Sequence, residues 1–383
     1  MADERSDSPD GDFPTEVFRL ARRFLSRRYL RGLSADERDR LREQLEVVRR
    51  TLLQQRAPRI AVVGSRERPL AGVLASFAGE AVPAEIEVKE QLGRGRWYDY
   101  ELRGIPMEVL DLRRRAGEEP SMKALDRDRP DLIFLDWNVR DVQETEGEPP
   151  EDGAAIRDLE AILERIRTPE LDPPGLLALV DADFSPEEVN PARARRILRE
   201  KLREADVRWS RTRVLSRDDV RRIDREMVEM APLEARFALA RAVETPGSKR
   251  ELARMIIRAS AGIAAAIATV PLPVADLLPI TGVQMAMVAA IGQLSGRKLS
   301  IRTVGEFTAA MGLNVGAGYA GREIARALVQ FVPFAGPVIS SSIAAGATFT
   351  VGNAAARYFL GGDGEEFEAA EPAPAPKSES EEE

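Results

Sequence analysis

Residues 59–80 read RIAVVGSRERPLAGVLASFAGE. An apolar run of strand length ends at Gly64, a polar turn follows, and residues 70–78 return to an apolar, helix-compatible pattern. Strand, glycine turn and helix in that order open a strand–helix unit. The alternation continues to residue 245. RIAVVG, WYDYEL, PMEVLDL, DLIFLDW, GLLALVD and TRVLS are all of strand length. Helix-like stretches follow most of them, at 69–78, 152–167, 186–205 and 218–231; SPEE (Ser185 to Glu188) is a helix-start signal for the third. This order predicts an α/β domain, a mostly parallel sheet covered on both faces. WYDYELRGIPMEVLDL breaks the alternation. Its strand-like runs, 97–103 and 106–111, are separated only by Gly104 and Ile105, which predicts a hairpin and so one antiparallel strand.

The chain has 383 residues, 44% apolar and 31% charged, enough for two or more folded domains. It contains no Cys and no His. Disulfides, thiol chemistry, Cys/His zinc sites and His-based triads are thereby excluded. The formal net charge is −8, and residues 361–383 alone carry nine acids against one lysine. That tail, ending EPAPAPKSESEEE, has almost nothing to bury and is expected to be a disordered, solubilising end. The opening MADERSDSPDGDFP has no apolar core, so residues 1–13 are expected to be disordered rather than a signal peptide, and the chain to start in the cytoplasm.

Residues 14–56 carry twelve arginines against six acids. Val17, Leu20, Ala21, Phe24 and Leu25 share one stripe, and SADE (Ser34 to Glu37) is a capping box opening a second helix that ends near Gln55. This basic helical hairpin is compatible with a solvated face, an anionic membrane or nucleic acid. Its few aromatics (Phe18, Phe24, Tyr29) offer no evident base-stacking surface.

A loop that cradles a polyphosphate needs G-x-x-x-x-G-K-[ST]: glycines so that amides wrap the phosphates, a lysine for charge, a hydroxyl for Mg²⁺. Gly64 fills the first position, but Pro69, Leu70 and Ala71 close the loop. Pro69 removes an amide donor, Leu70 the cation and Ala71 the metal ligand. Between Phe77 and Pro120 there is no Ser or Thr to supply another hydroxyl. Arg66 and Arg68 are the cations nearest the missing lysine.

With these motifs in place, residues 58–225 resemble an Era-like, translation-factor-related GTPase domain. The resemblance implies a three-layer, P-loop-GTPase-like fold with GTP and Mg²⁺ as its ligands. Asp111 in EVLDLRRR matches the aspartate of the family's D-x-x-G, which reaches Mg²⁺ through water; Arg114 replaces the glycine. In LVDAD, Val180 to Asp183, only Asp183 matches the base-reading [NT]-K-x-D. Ser216 in RVLSRDD resembles the family's later serine-bearing loop. Gly64, Arg66, Arg68 and Asp183 are therefore vestigial nucleotide positions and Asp111 a vestigial metal position. No catalytic residue and no cofactor are expected.

Residues 246–360 change character. Between Ala259 and Gly296 the only charge is Asp276, and between Ala327 and Ala356 there is none. Pro271, Pro273, Asp276, Gln284 and Met287 form P-x-P-x-x-D followed by Q-x-x-M. The region resembles the bacterial domain-of-unknown-function family numbered 697, which often follows Era-like GTPase domains and is often membrane-linked. Two apolar arms span 259–295 about a proline-containing break. Lys249, Arg250, Arg254 and Arg258 lie before them, and Arg297, Lys298 and Arg302 after. That charge pattern suits an inserted hairpin; an Ala-rich bundle buried against itself has the same composition.

The expected organisation is a disordered start (1–13), a basic helical hairpin (14–56), a GTPase-like domain (57–225), connecting helices (226–245), an all-α apolar domain (246–360) and an acidic tail (361–383). The expected function is a non-catalytic pseudo-GTPase adaptor at the inner face of the cytoplasmic membrane. It would bind protein partners or itself, with no nucleic acid and no small-molecule substrate. The alternatives are a divergent GTP-binding switch, using Arg66, Arg68 and Asp183, and a soluble nucleic-acid-binding protein using the basic helices.

Overall fold

The computed structural model describes residues 35–64, 66, 69–78, 95–114, 122–137, 153–166, 173–180, 211–216, 219–268, 278–296 and 341–361, with single positions at 196, 200 and 203. These form two compact units. One is Gln55–Ser248; the other joins the described residues up to Gln54 with those from Lys249 onward.

The first unit is built on a six-stranded sheet. Its strands are β1 (Arg59–Gly64), β2 (Trp97–Leu102), β3 (Ile105–Asp111), β4 (Leu132–Trp137), β5 (Gly175–Val180) and β6 (Thr212–Ser216), in the order β2-β3-β1-β4-β5-β6. All neighbours run parallel except β2 and β3. The central strands are continuously apolar because both faces are covered. On one face Ala61, Val63, Ile133, Leu135, Leu176 and Ala178 cluster with Leu159 and Ile162 of helix Gly153–Arg165. On the other, Phe134 meets Phe77 of helix Leu70–Ala78, ring centroids 5.2 Å apart. Helix Val220–Met230 packs on β5, β6 and helix Leu70–Ala78, and helix Leu233–Ala242 on β3. Four of the helix-like stretches were read from sequence; the one at 186–205 lies almost wholly outside the described residues.

The hairpin turn differs by one residue from the sequence reading. Arg103 and Gly104 form it, with φ of 51° and 74°, and Ile105 is already paired with Leu102. Positive φ at both central residues matches the right-handed twist of the strands. Arginine in that region carries a cost of roughly 1 kcal/mol that glycine or asparagine largely avoids.

At the amino-terminal end of the sheet, Asp131, just before β4, holds the chain that enters β1. It accepts the Arg59 N–H at 2.9 Å and two bonds from Arg56, one of them at 2.7 Å. Arg56 is thereby held above its ordinary pKa, chiefly by the hydrogen bonds to Asp131. The Arg59 guanidinium in turn pairs with Glu108 and with Asp128. β5 starts at Gly175, where a Cβ would lie 2.8 Å from Met230 Cβ and 2.9 Å from Leu132 Cδ2. Only glycine lets the helix end approach the sheet that closely.

For reference below, the helices are α1 (Ala35–Val48, continued by a π-helical turn Arg49–Leu53), α2 (Leu70–Ala78), α3 (Gly153–Arg165), α4 (Val220–Met230), α5 (Leu233–Ala242), α6 (Pro246–Ala268), α7 (Leu278–Leu294) and α8 (Ser341–Leu360). Among the described residues, the second unit contains helices and no strand. Small residues set its spacing. A Cβ on Gly352 of α8 would lie 2.6 Å from Ile257 Cγ1 of α6 and 2.9 Å from Met287 Sδ of α7. A Cβ on Gly262 of α6 would lie 3.2 Å from Gln44 Cγ of α1. Helix α7 spans 17 residues and is buried along most of its length. Among the described residues no helix is long and apolar enough to cross a membrane.

Two glycines give a paired test of this packing. Gly175→Ala is expected to destabilise the protein by roughly 1–3 kcal/mol through overpacking. Gly72→Ala, on α2 with nothing within 4 Å of the new Cβ, is expected to stabilise it by roughly 0.5–1 kcal/mol. Urea unfolding of both variants measures the difference.

Candidate functional site at the carboxyl ends of β1, β3 and β4

In a parallel sheet the carboxyl ends of the strands are where chemistry collects, because loops there converge at the reversal of strand order. Here β1 lies between β3 and β4 at that reversal. Gly64 ends β1 with φ of 138°, and a side chain on it would overlap the carbonyl oxygen of Asp136, its partner on β4. Glycine is required by both the backbone angle and the close approach.

Beyond the strands, the pairing of β1 with β3 continues. The Leu112 N–H donates to Val62 O at 2.8 Å, and the Arg114 N–H to Gly64 O at 3.1 Å. The Arg66 N–H then donates to Arg114 O at 3.1 Å. Residue 66 therefore lies alongside residue 114, and its amide points into the protein's own ladder.

Asp111, at the end of β3, is buried beside Val62. Its carboxylate is held by the residue two positions on. Asp111 Oδ1 accepts the Arg113 N–H at 3.1 Å and its Nε–H at 2.8 Å; Oδ2 accepts from Nη2 at 2.9 Å. The Arg113 side chain has 0% exposure. Its neighbour Arg114 turns the other way and pairs with Asp158 of α3, which is also buried. Two buried aspartates, Asp111 and Asp158, are thus each met by one of the arginines that follow β3. The fork geometry of a guanidinium suits such bidentate neutralisation.

Leu70, at the position of a phosphate-loop lysine, is 2% exposed and begins α2 in the core. Pro69 precedes it, its carbonyl accepting the Gly72 N–H at 3.0 Å. Among the described residues no group of three or more acidic side chains is arranged to hold a metal ion. For a Mg²⁺–triphosphate, the GTPase resemblance would put a cation at residue 70, a carboxylate at 111 open to the metal's water shell, and free amides in the turn. The residues described at those positions are a buried leucine, a carboxylate bound by Arg113, and at residue 66 an amide bonded to Arg114, so they do not fit that group.

The sequence-predicted positions are thus partly brought together. Gly64, Arg66 and Asp111 share this corner; Arg68 and Asp183 lie outside the described residues. Ser216 ends β6, exposed, where its carbonyl accepts the Asp219 N–H at 3.1 Å, leading into the cap of α4. Pro271, Pro273 and Asp276 also lie outside the described residues. Gln284 and Met287 belong to the helical unit. Gln284 Nε2 donates to Thr348 Oγ1 of α8 at 3.1 Å, and Met287 is buried against Gly352. Their described contacts join α7 to α8.

Arg113, Arg114 and Asp158 were not singled out from sequence as site residues. The signal was present in part: LRRR directly after an apolar strand puts charge where a core ends. Asp158 gave none, since an acid on a predicted helix reads as a solvated position.

Compared with known protein families and with curated proteins, the chain matches none. The resemblances drawn from sequence rest on the motif residues themselves.

Arg113→Met is expected to cost about 3–5 kcal/mol, because it leaves the buried Asp111 charge uncompensated. The double variant Asp111→Asn, Arg113→Met is expected to regain most of that loss. Chemical denaturation of the single and double variants measures both.

Proposed function

We propose that Gln55–Ser248 is a three-layer, P-loop-GTPase-like domain that works as a protein-binding scaffold rather than as a nucleotide-dependent enzyme. The observation that carries this reading is the buried Arg113 guanidinium on Asp111. Phosphoryl transfer rests on positioning and charge stabilisation by lysine, Mg²⁺ and backbone donors. A site whose carboxylate is already neutralised from within has no charge to offer a metal. A rigid sheet with its strand ends closed by ion pairs keeps one shape, which suits a surface read by protein partners or by a second copy.

In this reading the helical unit is an apolar all-α domain that associates with the surface of the cytoplasmic membrane. Its support is the cationic first half of α6, where Arg254 and Arg258 are exposed, together with the apolar composition that follows. Basic helices bind anionic headgroups without spanning the bilayer.

Titration of the full chain with a fluorescent GTP or GDP analogue and Mg²⁺ tests the scaffold reading. No saturable binding is expected up to about 100 µM, at which a 1 µM site would raise stability by roughly 2.7 kcal/mol. Micromolar affinity would overturn it. Flotation with vesicles tests the membrane reading. The protein is expected to float with phosphatidylserine-containing vesicles at low salt, to be released at high salt, and not to float with purely zwitterionic ones. Absence from both vesicle fractions would refute surface association.

A further inference from the structure

Two unfavourable placements in the α/β unit converge on the same four residues. Arg103 sits in the hairpin turn at φ 51°, where glycine or asparagine is at ease. Asp224, on α4, is 1% exposed, and its Oδ1 has no hydrogen-bond partner. Neither the turn nor the helix needs these side chains. Asn-Gly makes a better turn, and an uncharged residue is easier to bury on α4.

Both side chains reach the segment 242–245. Arg103 Nη1 donates to the carbonyl of Ala242, the last residue of α5, at 2.5 Å, and Nη2 to Glu244 Oε1 at 2.7 Å. Asp224 Oδ2 accepts from Thr245 twice, from Oγ1 at 2.7 Å and from the backbone N–H at 3.3 Å. Thr245 directly precedes Pro246, the first residue of α6. Proline at the first helical position has a preset φ, so the orientation of Thr245 passes into the start of the helix. Elements distant in sequence, the β2–β3 turn and α4, therefore hold the short connection from both ends.

We propose that Arg103 and Asp224 clamp residues 242–245 onto the α/β unit and so fix the backbone at the start of α6, Pro246 to Ser248. The clamp is a conformational device, independent of whether a nucleotide binds. Residues that lower overall stability while restraining one segment are what such a device requires.

The charge environment of Asp224 agrees. Burial raises its carboxyl above the ordinary 3.8; the two Thr245 bonds and the Arg103 charge oppose that rise, and Glu244 adds to it. The charged form therefore costs stability at neutral pH. Between 3.8 and the raised value, the folded chain holds a proton that the unfolded chain gives up. Stability from this group accordingly rises as pH falls through that window.

Hydrogen exchange followed by mass spectrometry on the full chain tests the clamp with Asp224→Leu, which removes the acceptor, and Arg103→Asn. In each variant, exchange in peptides covering 242–248 is expected to accelerate roughly tenfold, from the loss of one or two hydrogen bonds, with the sheet unchanged. Melting temperature at pH 7.5 is expected to stay the same or rise in both. The advantage of Asp224→Leu should close as pH falls toward 3.8. Unchanged protection of 242–248 in both variants would overturn the proposal. So would acceleration spread across the sheet with a lower melting temperature, since the two residues would then support the core rather than the connection.

Discussion

A guanidinium with no solvent contact must be neutralised where it lies, and Arg113 meets that requirement with Asp111 only two residues away. The burial of this pair organises the corner around it. The side chain folds back along its own strand, so the backbone at residue 114 stays extended and carries the β1–β3 ladder past Gly64. Arg114 is then turned toward α3, where it neutralises Asp158. Gly64 completes the corner by letting β1 pass against the Asp136 carbonyl. Removing one charge would strand another, because buried ions lose water that only a partner replaces.

The consequence, among the described residues, is that the Asp111 and Asp158 carboxylates are neutralised by guanidiniums of the same chain. In a nucleotide-binding loop, the chain leaves charges and amides unsatisfied and the ligand completes them. Here Arg113 and Arg114, which follow β3, meet Asp111, Asp158 and the amide of residue 66 from within the protein. A ligand can bias only an equilibrium in which it has differential contacts to make. The same economy of contact runs through the helical unit. Gly352 and Gly262 set close helix approach, and Gln284 joins α7 to α8 by a single hydrogen bond. Small residues and an occasional polar bridge serve such packing in water and in lipid alike, which is why composition there does not distinguish the two media.

Much of the α/β unit was legible from residue order. Each of the six strand-length runs contains an observed strand; the inner strands β1 and β5 are almost wholly apolar because both their faces are covered, whereas the edge strand β2 ends in alternation, with Asp99 and Glu101 exposed. The antiparallel exception was legible from the short spacing within WYDYELRGIPMEVLDL, although the turn moved to Arg103–Gly104, since hairpin twist demands positive φ at both positions. That residues 70 and 71 are neither a lysine nor a hydroxyl residue was equally plain, because residue type is read directly from the sequence.

What residue order could not show was which charges meet. Asp111 and Asp158 are 47 positions apart on a strand and a helix, and the three consecutive arginines 113–115 gave no sign that the first would be buried on one acid and the second paired with the other. Arg103 and Asp224 read as ordinary surface residues until the fold brought both to residues 242–245. Sequence determines strand and helix through periodicity, a property of neighbours along the chain. Ion pairing and burial depend on neighbours in space, so only the tertiary structure decided that this site is neutralised from within.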